Sequence, residues 1–281
     1  MITPDELAIM TEGEKLSFLR SVAELESWQE SFTPLYERLI EDESPKVREE
    51  AVAGFWDIAD PGHIALLTRK AENDPSVQVR AKAVSVLGIY IYEGVVNMNL
   101  DEKDLITVRR FLLDTANDPD EDVLVRRMAI EALSFDADDE VHALIEWAYE
   151  HSEIEVRMSA LFSMGRSQSA RWYDTILAEM DSKDKRIRLE AANAAGEAQL
   201  REATAKLRVL AGHSDRELAL AAIWALSRTR GPGALETLEM CQQSKDEEIS
   251  RVARMAIEEY WHAAEFDEDQ PLTDYRDYEE D

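Results

Sequence analysis

Apolar positions recur along the chain in a fixed phase. Taking the valine before Arg80 in NDPSVQVRAKAVSVLG as the anchor, equivalent residues are Val47, Val79, Val125, Val156, Ile187, Leu218 and Ile249, spaced by 32, 46, 31, 31, 31 and 31 residues. Four residues after each anchor stands an alanine: Ala51, Ala83, Ala129, Ala160, Ala191, Ala222 and Ala253. Four further on comes Phe55, Leu87, Leu133, Met164, Ala195, Leu226 or Ile257. An apolar, small, apolar triplet at i, i+4 and i+8 is one stripe of an α-helix, with the alanine where a neighbouring backbone comes close. Three residues before the anchors are Ser44, Ser76, Asp122, Glu153, Asp184, Asp215 and Asp246, and all but the glutamate are good helix N-caps. A second apolar helix precedes each, as in SFTPLYERLIED, GHIALLTRKAEND, EVHALIEWAYEH and WYDTILAEMDS. Each repeat therefore reads as a helical hairpin. A hairpin of this size cannot bury its own apolar face, so stacking on its neighbours must supply the core.

The 31-residue period, the turns at Asp74-Pro75 and Asp118-Pro119, and the Val-Arg-x-x-Ala-x-x-x-Leu helix resemble short HEAT-like repeats of the type also found in phycobilin lyases. The resemblance implies an all-α, right-handed α-solenoid of about seven HEAT-like helical hairpins. Residues 1–31 then serve as N-terminal capping helices, 32–260 as the solenoid, and 261–281 as an acidic C-terminal tail. In the family the arginine after the anchor joins an inter-repeat ladder with acidic residues of the hairpin turn. That role carries over to Arg48, Arg80, Arg126, Arg157 and Arg188, and the column breaks at Ala219 and Ser250. The competing use of these arginines is to hold an anionic ligand.

Two departures from the repeat carry more information than the repeat itself. The 46-residue spacing places an insertion at about 88–105, unusually apolar for a connecting segment. It is either a binding loop or a lengthened helix that caps a neighbouring hairpin. On this alignment much of 90–103 is expected to be dispensable. The second departure is a run of large apolar residues two and six positions past the anchors: Met158, Phe162, Leu189, Leu220, Trp224 and Met255. The resemblance puts that side of the second helices on the concave groove. The stripe is then a partner groove, a surface covered by the chain's own C-terminus, or ordinary core.

Composition narrows the partner. With 60 acidic against 31 basic residues the net charge is -29, which repels phosphate backbones, so nucleic acid is not expected. A basic protein or peptide with an apolar face is. The tail from Glu265 to Asp281 has nine acidic residues and one arginine, a composition expected to stay unstructured when free. No run of 18 apolar residues spans a membrane, and the acidic start does not read as a secretory signal, so a cytoplasmic protein is expected. Cys241 is the single cysteine, which excludes a cysteine-based zinc site and an intrachain disulfide. The five histidines are scattered, with no HExxH, and no phosphate-binding or nucleophile motif occurs. Neither catalytic residues nor a cofactor are therefore expected. The pattern favours a non-catalytic protein-binding scaffold or adaptor. The alternative, which comes from the resemblance alone, is a bilin lyase-like enzyme or chaperone subunit.

Overall fold

The second helix of each hairpin starts at the expected position, and six of the seven do so by one of two devices. In four repeats an aspartate caps it: Asp122, Asp184, Asp215 and Asp246 accept from Leu124 N (2.8 Å), Arg186 N (2.8 Å), Glu217 N (3.1 Å) and Glu248 N (3.0 Å). Ser44 and Ser76 make no side-chain cap bond. Their own amides donate instead to Asp42 and Asp74, at 2.9 and 3.0 Å. The carboxylate two residues upstream closes the turn and the serine merely lies in it.

The computed structural model describes residues 7, 9–23, 32–136 and 138–268. Among these it has fifteen α-helices and no strand. They fall into two compact units, Met1–Ser163 and Met164–Asp281. The first contains α1 (Glu12–Ala23), α2 (Thr33–Leu39), α3 (Pro45–Ala53), α4 (Ile64–Asn73), α5 (Val77–Val95), α6 (Glu102–Asn117), α7 (Val123–Leu133) and α8 (Asp139–Tyr149). Helix α9 (Ile154–Arg166) carries the boundary. The second unit continues with α10 (Tyr173–Glu179), α11 (Lys185–Glu197), α12 (Thr204–Ala211), α13 (Arg216–Thr229), α14 (Ala234–Gln242) and α15 (Glu247–Glu268).

In each unit a first helix packs on its own second helix, and second helices pack on one another: α3 on α5 and α5 on α7, then α11 on α13 and α13 on α15. This is the α-solenoid arrangement. All seven stripe alanines are fully buried, and so are the anchors apart from Ile249, which is half-buried. The close approach falls nine residues past the anchor. A Cβ on Gly88 would lie 3.0 Å from Ala132 Cα, one on Gly165 2.5 Å from Ala194 Cα, and one on Gly196 2.9 Å from Ala225 Cα. Glycine there lets successive second helices touch backbone to backbone.

The insertion lengthens a helix. Helix α5 runs for 19 residues, and Tyr90 and Ile91 within it are fully buried. The Tyr90 hydroxyl donates to Asp60 O at 2.8 Å, and Tyr92 packs on Phe135 at 4.9 Å between ring centroids. The expectation that 90–103 is dispensable therefore fails for its first residues, which are core. What remains exposed is the short link and its flanks: Val95, Val96, Met98 and Ile106.

At the termini, α1 is joined to the first hairpin by Lys15 on Asp42 (2.5 Å) and by the Ser44 hydroxyl donating to Glu12 (2.7 Å). The other residues assigned to the N-terminal cap, 1–6, 8 and 24–31, lie outside the described residues, as does the tail from 269 onward. Helix α15 itself extends to Glu268, beyond the boundary expected at 260. No helix among the described residues is long and apolar enough to cross a membrane.

Candidate binding face

The arginine column sits where a hairpin leaves carbonyls unpaired. Arg48 Nη1 donates to Asp42 O (2.9 Å) and Glu43 O (3.0 Å), Arg80 Nη1 to Asp74 O (3.0 Å), and Arg188 Nη1 to Ser182 O (2.7 Å) and Lys183 O (3.2 Å). These acceptors are six and five residues upstream, in the turn after the first helix, where a helix end has no intrahelical donor for its carbonyls. Two of the arginines also reach the next repeat. Arg48 makes a two-pronged pair with Asp74, both bonds 2.8 Å, and Arg80 does the same with Glu121 at 3.2 and 2.8 Å. Burial raises the Asp74 pKa, but the Arg48 hydrogen bonds, the Ser76 amide and the charges of Arg48 and Lys70 outweigh it and hold Asp74 below its usual range.

Arg126 and Arg157 also pack on aromatic rings. Arg126 Nε donates to Ala116 O (3.0 Å) and its guanidinium lies 4.5 Å from the Trp147 ring centre. Arg157 lies over Tyr149 at 5.8 Å. Where the column breaks at Ser250, the hydroxyl donates to Gln242 O at 2.7 Å, a carbonyl at the end of α14 two residues upstream of the one the arginines take.

A ladder that sequence reasoning missed runs along the second unit. Lys185 bridges to Asp215 (2.7 Å) and Glu217 (2.6 Å), and Arg216 to Asp246 (2.6 Å) and Glu248 (3.3 Å). Lys185 and Arg216 are one period apart, as are Asp215 and Asp246, so the 31-residue register already contained the signal.

Of the six apolar candidates, Met158 and Phe162 belong to the first unit and are half-buried on α9. The other four belong to the second unit. Leu189 on α11 and Leu220 and Trp224 on α13 are half-buried, and Met255 on α15 is 57% exposed. Trp224 is held in place: a Cβ on Gly196 would meet its Cζ3 at 2.5 Å, and the Arg228 guanidinium lies 5.2 Å from its ring centre. Arg228 in turn donates to Gly196 O (3.1 Å) and Glu259 (3.4 Å). The result is a half-open apolar row with a rigid indole, bordered by a guanidinium whose charge is already matched.

Among the described residues there is no group of three or more His, Cys, Asp or Glu side chains placed to hold a metal ion. Cys241 is half-buried and burial raises its thiol pKa, which lowers the thiolate fraction that would make it reactive.

The model of the HEAT repeats matches residues 32–116 and 173–258, more than half of the chain. None of the curated proteins searched matches the sequence. Among solved structures, the complex of CpcE and CpcF of phycocyanin lyase from Nostoc sp. PCC7120 is similar at TM-score 0.55 and 14% identity, over 84% of this chain and 94% of that chain. A chain of the Kap95:Nup1 complex gives 0.49 at 14% identity, over 92% of this chain and 40% of that one. Human deoxyhypusine hydroxylase gives 0.36 at 15% identity, over 83% and 97%. At such identities the likeness is one of fold.

Proposed function

The chain belongs to the HEAT-repeat family, and we propose that it works as a non-catalytic protein-binding scaffold whose partner contacts the second helices of the second unit. The observation that carries this reading is the row Leu189, Leu220, Trp224 and Met255. It is apolar, partly open, and built around an indole fixed by Gly196 and Arg228. Fixed aromatic side chains in partly dry surroundings are the usual anchors of protein interfaces, and methionine adapts to the partner's shape. Met158 and Phe162 offer a separate apolar contact on the first unit. The acidic surface selects a basic partner with an apolar face and raises its encounter rate at low salt. The arginine column is taken up by turn carbonyls, carboxylates and rings, which supports a structural role for it over binding an anion.

The test places a photoreactive residue at position 220 and, in a second protein, at exposed Glu202, and compares the proteins captured. The reading expects a partner with a basic, apolar-faced segment to be captured from 220 and not from 202. Trp224→Ala should then weaken that partner by on the order of 2 kcal/mol, roughly thirtyfold. The same capture from both positions, or unchanged affinity in Trp224→Ala, overturns it. The phycocyanin lyase resemblance is checked in the same preparation by adding a bilin and recording its absorption spectrum. A shifted spectrum would favour the lyase-like alternative.

A further inference from the structure

The ends of the second helices keep a register of their own. Gln168, Gln199 and Arg230 each stand twelve residues past an anchor, with φ of 51°, 50° and 47°, the left-handed turn that closes a helix. The fourth such residue among those described, Met98 at φ 55°, stands nineteen past Val79. Seven extra residues are two helical turns, so α5 runs about 10 Å further than its counterparts before it closes. Helix α6 is drawn out to match, with 16 residues where the other first helices have 7 to 11. The two extensions pack on each other, since a Cβ on Gly94 would lie 2.7 Å from Leu105 Cδ1. The insertion is therefore a spur of two lengthened helices with the link 96–101 at its tip.

Hydrogen bonds hold that tip in one shape. The Glu93 carboxylate accepts from Asn97 Nδ2 (2.9 Å) and Asn99 Nδ2 (3.3 Å), and its carbonyl accepts from Asn99 N (2.8 Å). They tie the link on both sides of Met98. Where Gln168, Gln199 and Arg230 place polar side chains, the spur places a methionine that is 83% exposed. A left-handed backbone favours glycine, so methionine there costs folding free energy that no packing within the described chain offsets. Val96 beside it and Ile106 on α6 are exposed as well. The segment 93–104 also has four carboxylates, Glu93, Asp101, Glu102 and Asp104, against Lys103. That charge selects the occupant. Two copies meeting tip to tip would set carboxylates against carboxylates, with a handful of apolar side chains where a stable interface uses about 20–30 residues a side. An anionic bilayer would repel the tip in the same way. A protein pocket with an apolar floor and a basic rim matches both its methionine and its charge.

We infer that the α5–α6 spur is a docking peg: Met98 enters an apolar pocket on a protein partner whose lysines or arginines face Asp101 and Glu102. Methionine suits the role because its unbranched thioether adapts to the shape of the pocket. The peg belongs to the first unit and does not rest on the row of the second, so the two surfaces are tested separately.

The experiment places a methionine-shaped diazirine residue at position 98 of the full chain and, in a second protein, at exposed Glu72 on α4, and irradiates both in extract of the cells that make the chain. The protein captured from 98 is purified, its crosslinked peptide is sequenced, and its affinity for the unlabelled chain is measured at low and high salt. The expected peptide sets apolar residues beside lysine or arginine, and binding is expected to weaken as salt rises. Met98→Gly suits the left-handed backbone and keeps the melting temperature, yet should weaken binding by about tenfold or more, while Met98→Leu retains it. Trp224→Ala is measured alongside: a loss there with none in Met98→Gly overturns the peg and leaves the row standing. Capture of the same proteins from both positions, no capture from 98, or a crosslinked peptide without basic residues also overturns it. So does crosslinking of the chain to itself, or flotation with phosphatidylserine vesicles that Met98→Gly abolishes, because these give the tip to a second copy or to a bilayer.

Discussion

Arg48→Met tests the idea that the arginine column holds successive hairpins in register. Arg48 and Asp74 are 9% and 5% exposed, so the pair is nearly dry. Methionine keeps the volume of the side-chain stem but removes the guanidinium, which leaves the Asp74 carboxylate buried with two remaining partners. These are the Ser76 amide at 3.0 Å and the Lys70 ammonium at 3.8 Å. Deleting one member of a buried ion pair costs about 3–5 kcal/mol. The lysine argues for the lower end of that range. The carbonyls of Asp42 and Glu43 also lose their donor, but they lie in a turn that water reaches, so their loss adds at most about 1 kcal/mol. The expected cost is therefore about 3–4 kcal/mol, read by urea titration as a shift in midpoint at unchanged slope.

Two controls separate a paired charge from mere packing. Arg48→Met with Asp74→Leu removes both charges, so the double variant should be more stable than Arg48→Met alone. The pH dependence has a definite sign. Asp74 titrates below its usual value in the folded chain and near 3.9 when unfolded. The pair then contributes fully above about pH 4 and is lost as pH falls through the lower folded value. The unfolded value cancels between wild type and Arg48→Met, so their difference should be full above the folded pKa of Asp74 in the variant, which burial raises once Arg48 is gone, and should shrink as pH falls below it. A cost under about 1 kcal/mol for Arg48→Met, or a double variant weaker than the single, would refute the register argument.

Three further substitutions test the packing. Gly165→Ala drives a Cβ to 2.5 Å from Ala194 Cα and should lower the melting temperature, whereas Gly13→Ala meets nothing within 4 Å and should raise stability by about 0.5–1 kcal/mol. Ala191→Leu and Ala222→Leu, at fully buried positions, should each cost about 1–3 kcal/mol by overpacking, and unchanged melting temperatures in both would sink the repeat alignment. Deleting 90–103 should abolish cooperative melting because Tyr90 and Ile91 go with it.

The hairpins and their core were legible because a buried stripe has one period and tolerates few residue types. Anchor, alanine and third apolar residue recur with chemistry that only close packing demands. Turn chemistry was less legible. Ser44 and Ser76 are the right residue type at an N-cap position, yet the aspartates two residues upstream make the bonds. Local propensity names candidates for a hydrogen bond, and the turn geometry chooses among them. The insertion stayed ambiguous for a related reason: an apolar run reads alike as an exposed loop or a buried helix end until its neighbour is known. Phe135 and Asp60 are the neighbours that bury the start of it.

The apolar candidates show where a helical wheel stops being informative. It places Leu189 and Leu220 on the side away from the hairpin's first helix, but it does not say which part of that side the next repeat occupies. The glycines do. Gly88, Gly165 and Gly196 all stand nine residues past an anchor, and glycine in a helix interior costs enough to imply a backbone pressed against it. With the next helix placed there, position two lies at the edge of the contact, so Leu189 and Leu220 are half-buried and keep an open part in the row. Position six lies farther round from that contact, which keeps the open parts of Trp224 and Met255 as surface a partner would meet. The same register shows why Met255 is more open than Trp224. Trp224 is wedged against Gly196 of the preceding helix and bordered by Arg228, whereas Met255 lies on a helix whose next-repeat side has changed from small and apolar residues to Arg254 and Glu258.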